Sequence, residues 1–250
     1  MTVTKPLAAL GAALLLSLSL SACGDKKDAA AEGEKIAAGQ DVPPPAGKQW
    51  SDVVADTPEM GVVMGNPNAP AKLVEYASYT CPHCRDFTAQ AAEPLRKMVN
   101  SGRLSYEFRS FLRDPYDLTM ALLAKCGGAE PFFPLTEQLF ANQENFFTKA
   151  QALDPKAAEA ALKQAPNQRF VTLAGMTGLV DFVKQRGIPE AQAKQCLADS
   201  KMADGLVAKA QEGAKQFEIS GTPTFVLNGK VVEDTASWEL LRTKLTEAGL

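Results

Sequence analysis

Cys81-Pro82-His83-Cys84 holds two of the chain's five cysteines and its one histidine. If a helix starts there, the two thiols stand one turn apart, close enough to close a disulfide. Such a pair can be a structural bridge, half of a metal site or a reactive dithiol. A structural zinc site needs four ligands, and the only other soft candidates are Cys126 and Cys196, with His83 wedged between the first two. Covalent haem needs a histidine directly after the second cysteine. Arg85 stands there, so that chemistry is excluded.

A reactive dithiol depends on the elements that hold it. Residues 71–76 form a short apolar run, which reads as a buried strand. From Cys81 the pattern turns helical through Phe87, Ala91, Leu95 and Met98, and ends near Gly102. Pro94 is expected to kink that helix. Leu104, Tyr106 and Phe108 then alternate with Ser105 and Glu107, the period of a second strand. Strand, helix and strand over 71–109 make a βαβ unit with a right-handed crossover.

This arrangement puts Cys81 at a helix N-terminus. Unpaired backbone N–H groups and the helix dipole favour negative charge there and lower a thiol pKa. Pro82 fits the first helical turn. His83 can donate a hydrogen bond or, when protonated, add positive charge. A stabilised thiolate is a good leaving group, so the Cys81–Cys84 disulfide would be a strong oxidant of other thiols.

Residues 116–216 read as helical almost throughout. Asp154 followed by Pro155 is a helix start, an N-cap with proline at the first position. Residues 57–64 suggest a short edge strand ahead of the βαβ unit. After the helical block, 224–227 and 230–232 flank Asn228-Gly229, the signature of a type I′ hairpin. A last amphipathic helix puts Trp238, Leu241 and Leu245 on one face. A helical block of about 90 residues thus interrupts one sheet.

The segment LVEYASYTCPHC, residues 73–84, resembles the active-site segment of DsbA-like thiol-disulfide oxidoreductases. The long helical block and Gly221-Thr222-Pro223-Thr224 extend the resemblance over about residues 60–250. It implies an α/β chain with a thioredoxin fold and a long inserted α-helical domain. It also implies that Cys81 attacks, Cys84 resolves, and Pro223 is cis and faces the dithiol. The backbone of Thr222 would then lie beside Cys81, where a substrate strand can pair with it. Glu75 matches a buried acidic residue of the family. Its neighbours are apolar, and a buried carboxyl with a raised pKa could shuttle the proton of Cys84. A solvated carboxylate at the strand end is the alternative.

Cys126 and Cys196 both fall in the expected insertion. Two spare cysteines of an exported protein are expected to pair. The closed loop of about 70 residues carries a nominal stabilisation of about 4 kcal/mol. Two free buried thiols, or a regulatory pair, stay open.

The first residues set the compartment. Lys5 precedes an apolar stretch over 7–20, the layout of a secretory signal and too short to span a bilayer. Leu20-Ser21-Ala22-Cys23 resembles the lipobox of bacterial lipoproteins, which implies cleavage before Cys23 and its acylation. Residues 25–49 are rich in Ala, Gly, Lys, Glu and Pro and poor in large apolar side chains, the composition of a disordered tether. The expected organisation is a signal peptide over 1–22, the lipidated Cys23 and tether over 23–56, thioredoxin-fold parts over 57–115 and 209–250, and the helical insertion over 116–208.

The formal net charge of −3 gives no reason to expect nucleic acid as a partner. The reading is therefore an exported, lipid-anchored, periplasm-facing protein of the bacterial envelope. It would act as a monomer, with no metal and no cofactor beyond the Cys81–Cys84 disulfide. Expected partners are folding exported proteins with cysteines, a membrane redox protein that resets the dithiol, and the bilayer itself. A reductase or isomerase with the same site, and a non-catalytic thioredoxin-like binding module, are the competing functions.

Overall fold

The computed structural model describes residues 39–250. The expected signal peptide, Cys23 and the first part of the expected tether lie outside the described residues. Residues 39–49 carry no regular structure and are exposed. Folded structure then starts earlier than the expected boundary at 57. Trp50–Asp52 form a 3-10 turn, and Val54–Asp56 form strand β1. Trp50 is the reason. It is buried, its indole Nε1 donates to the Val42 carbonyl at 2.7 Å, and it packs at the end of the first long helix. Gly102 leaves room for it: a Cβ there would come within 2.5 Å of Nε1, and Gly102 has φ +72°.

The next elements are β2 (Val62–Gly65), β3 (Ala71–Ala77), α1 (Pro82–Asn100) and β4 (Leu104–Ser110). Eight helices follow: α2 (Pro115–Lys125), α3 (Phe132–Ala141), α4 (Gln143–Gln151), α5 (Pro155–Leu162), α6 (Pro166–Thr177), α7 (Leu179–Lys184), α8 (Glu190–Ala198) and α9 (Ser200–Gln216). The chain closes with β5 (Thr224–Leu227), β6 (Lys230–Val231) and α10 (Trp238–Glu247).

The strands form one six-stranded sheet in the order β1-β2-β4-β3-β5-β6. Only β3 and β4 run parallel; the other pairs are antiparallel. A parallel pair needs a crossover, and α1 supplies it. Helix α1 continues through Pro94. The Gln90 carbonyl, deprived of its helical donor by that proline, belongs to an exposed residue that water can reach. Asn228 and Gly229 both have positive φ, as a type I′ turn requires. The Asn228 side chain then accepts from Lys72 N at 2.8 Å and donates to the Pro70 carbonyl at 3.1 Å, tying the hairpin to the start of β3.

Glu75 pairs with Phe108 and Leu73 with Tyr106, so these four side chains share one face of the sheet. Phe132 and Phe133 of α3 pack on that face. Tyr76 points to the opposite face, where it meets Phe217 and helix α9. Helix α9 approaches so closely that a Cβ on Gly213 would lie 2.5 Å from the Tyr76 ring. The same helix crosses the boundary expected at 208/209. It is both the last helix of the insertion and the cover of one face of the sheet.

Candidate active site

Helix α1 starts directly after Cys81. Cys81 is its N-cap and Pro82 its first residue. Both Cys81 and Cys84 are reduced and buried. The Cys81 thiol donates to the Thr222 carbonyl oxygen at 3.2 Å. The Thr222–Pro223 bond is cis and opens the loop into β5.

The two sulfurs are driven in opposite directions. The Cys81 pKa is lowered to about 4, first by a hydrogen bond from the Cys84 thiol. Burial opposes this, while the Thr222 side chain and the backbone N–H groups of Cys84 and His83 add to it. The Cys84 thiol is pushed far up, first by burial, then by its hydrogen bond to Cys81 and by the charge of Glu75. His83 presents an exposed side chain. Its contribution to the Cys81 sulfur comes from its backbone.

Glu75 sits in the middle of β3, 1% exposed. Burial is the main reason its pKa is pushed up to about 8. Tyr106, on the neighbouring strand, donates its hydroxyl to Oε2 and opposes that shift. A negative Cys81 raises it further. The other oxygen, Oε1, has no hydrogen-bond partner among the described residues. A carboxyl in this state is protonated at neutral pH and coupled to both cysteines.

The loop 78–80 between β3 and Cys81 is held by side chains from the insertion that the sequence reading did not single out. Asp117, fully buried in the first turn of α2, accepts from Ser78 Oγ at 2.5 Å, Tyr79 N at 2.8 Å and Arg113 N at 3.1 Å. Burial pushes its carboxyl up to about 7 against those three hydrogen bonds. Asp114, the N-cap of α2, accepts from Thr80 Oγ1 at 2.6 Å. Gln143, fully buried at the start of α4, donates through one nitrogen to the Tyr79 carbonyl at 2.8 Å and the Cys81 carbonyl at 3.0 Å. The Tyr79 hydroxyl meets Thr136 of α3 at 2.9 Å. The insertion therefore grips the backbone of Cys81 itself. Asp114-Pro115-x-Asp117 is a helix-start signal that could have drawn attention to Asp117. Gln143 carries no such signal.

Cys126 and Cys196 are joined by a disulfide with a Cα–Cα distance of 5.7 Å. It fastens α8 to the end of α2. Bonded to each other, they cannot complete a zinc site with Cys81 and Cys84.

A family model described as thioredoxin matches residues 57–247. The chain belongs to the thioredoxin family. Within it, this thioredoxin-family chain is similar to a provisionally named protein-disulfide oxidoreductase of Rickettsia bellii, with 27% identity over 177 residues. The match covers 70% of this chain and 60% of that protein, so the chain spans well under the full length of that relative. Among solved structures it is similar to a protein-disulfide isomerase from Novosphingobium aromaticivorans. There the identity is 29% and the TM-score 0.71, over 78% of this chain and 97% of that one. It also shares its fold with alpha-DsbA1 of Wolbachia pipientis: 22% identity, TM-score 0.53, over 72% and 79% of the two chains. The fold of this thioredoxin-family member is thus α/β and DsbA-like, with the helical block between β4 and β5.

Proposed function

We propose that the protein is a thiol-disulfide oxidoreductase that oxidises cysteine pairs of exported proteins. The observation that carries this reading is the opposed poise of the two sulfurs. Cys81 is poised to ionise, with its pKa lowered to about 4, while Cys84 is held as a buried thiol. A stabilised Cys81 thiolate favours the reduced dithiol and makes the disulfide oxidising.

In the forward reaction the protein starts with Cys81 and Cys84 bonded. A substrate thiolate attacks Cys81 Sγ and forms a mixed disulfide, while the S–S bond to Cys84 breaks. Cys84 leaves as thiolate and takes a proton, for which the Glu75 carboxyl, protonated below about pH 8, is the nearby source. A second substrate thiolate then attacks its own partner sulfur and expels Cys81 as thiolate. The substrate has lost two electrons, and the protein dithiol has gained them. The Thr222 backbone beside Cys81 would hold the substrate in extended form.

This activity belongs in the bacterial envelope, which suits the signal-like N-terminus and the lipobox resemblance at Cys23. The protein would act there as a lipid-anchored monomer facing the periplasm, with no cofactor beyond its own disulfide. Folding exported proteins would be substrates, and a membrane redox protein would re-oxidise the dithiol. The decisive measurement is the reduction potential of the Cys81–Cys84 couple. A value well above about −270 mV supports oxidation, and one near it overturns that direction. Cys81→Ser is expected to abolish exchange, and Cys84→Ser to trap mixed disulfides with substrate.

The similarity to the Novosphingobium protein-disulfide isomerase favours a second reading, isomerase action by the same site. Recovery of activity from a scrambled-disulfide substrate by the reduced protein separates the two.

A further inference from the structure

The loop that follows β4 opens onto a cavity of about 450 Å³, within the range of ligand pockets, about 300–1,000 Å³. Its walls are apolar: Phe111 and Leu112 from the loop, Leu118 from α2, Phe170 from α6 and Val207 from α9. Two guanidinium-bearing residues, Arg113 and Arg169, also line it. Among the described residues neither forms an ion pair. Arg169 lies against the Phe170 ring, 5.4 Å from its centroid, and its Nε is buried without a hydrogen-bond partner among the described residues. The one carboxylate in the lining, Asp114, is already engaged, accepting from Thr80 Oγ1 at 2.6 Å and from Asp117 N at 2.9 Å.

The cavity adjoins the reactive loop. Phe111 N donates to the Ala77 carbonyl at 2.7 Å, and Arg113 reaches the carbonyl of Thr80, the residue before Cys81, at 3.5 Å. It therefore opens at the carboxyl ends of the parallel pair β3 and β4, the edge where α/β sheets bind ligands. No part of its lining comes from Thr222 or Pro223. It is separate from the Thr222 backbone beside Cys81.

We propose that this cavity docks the substrate polypeptide, taking a large apolar side chain whose neighbouring carboxylate meets Arg169 and Arg113. The assignment rests on the oxidoreductase reading. Unfolded chains expose the apolar side chains that folded ones hide, and two guanidinium groups without an ion-pair partner among the described residues complement a carboxylate. Anchoring there would raise the local concentration of a substrate cysteine at Cys81.

The test uses the full chain and a fluorescent, cysteine-free peptide carrying one phenylalanine and one glutamate. Saturable binding in an anisotropy titration is expected. Arg169→Ala should weaken it about tenfold, while leaving the weaker binding of the glutamine-substituted peptide unchanged. Val207→Trp, which fills the cavity, should abolish binding of both peptides. Reduction of the Cys81–Cys84 disulfide by dithiothreitol should be unaffected in either variant. A wild type that reacts with dithiothreitol but does not bind the peptide overturns the docking site and leaves the redox reading standing. Binding that ignores both substitutions also overturns it. Binding of decanoate without peptide binding assigns the cavity to a free amphiphile and overturns it as well. Intact peptide binding in a protein that exchanges no thiol preserves the docking surface and removes the redox reading.

Discussion

The Cys81 sulfur and the Thr222 carbonyl oxygen lie 3.2 Å apart although 141 positions separate them in the chain. Cys81 has a lowered pKa and a long-range neighbour that, in the proposed function, marks where a substrate backbone would lie. Its alkylation by iodoacetamide should persist at acidic pH, with a midpoint near 4 instead of the ordinary thiol range. A midpoint near 8 or 9 would rule out the thiolate.

The same shift ties redox state to stability. In the reduced form the folded pKa of Cys81 lies below its unfolded value. Its stabilising contribution is full above the ordinary thiol pKa, shrinks as pH falls, and is gone below about pH 4. The reduced protein should therefore resist urea better than the oxidised protein at pH 7, with the gap narrowing on acidification. Parallel urea titrations of both forms at pH 7 and pH 4 check this.

Glu75 behaves in the opposite sense. Its folded pKa of about 8 lies above the unfolded 4.5, so burial costs nothing below pH 4.5 and an increasing amount as pH rises to 8. Glu75→Gln can still accept from Tyr106. It should stabilise the reduced protein by on the order of 2–4 kcal/mol at pH 8.5 and change little at pH 4. It should also slow release of Cys84 from the disulfide, which stopped-flow fluorescence with a dithiol can follow.

Gln143 supplies two carbonyls of the reactive loop with their side-chain donor. Gln143→Leu leaves those buried acceptors short of a partner, at a cost of about 1–3 kcal/mol. Gln143→Glu keeps the size but replaces the amide donor with oxygens. Both variants should raise the pH midpoint of thiolate absorbance at Cys81, whereas a distant core substitution of equal cost should leave it in place.

Replacing Cys126 and Cys196 together by alanine should lower stability by about 2–4 kcal/mol, as expected for a long closed loop. The Cys81–Cys84 potential should stay where it was if the bond is structural. A displaced potential would make it regulatory.

What the sequence revealed was mostly local. The alternation from Leu104 to Phe108, the turn at Asn228-Gly229, the cap at Asp154-Pro155 and the Cys81–Cys84 spacing each depend on neighbours a few residues away. Trp50 was missed because one apolar side chain in a polar stretch has no periodicity; only its partners at Gly102 and Val42 explain its burial. The two-sided role of α9 was hidden for the same reason, since Gly213 matters only opposite Tyr76. In the candidate site, the sulfurs and Pro223 were legible as motif residues. Asp117, Gln143 and Tyr106 were not, because each acts through a hydrogen bond to a residue more than thirty positions away.

The split of the sheet by the helical insertion also bears on how the protein is made. A chain that emerges from the ribosome or an export channel N-terminus first delivers Cys81 and Cys84 long before Gln143 and Thr222. Until β5 arrives, strand β3 lacks one of its two neighbours and Cys81 lacks its opposing loop. During that interval Cys81 lacks the part of its lowered pKa that Thr222 supplies.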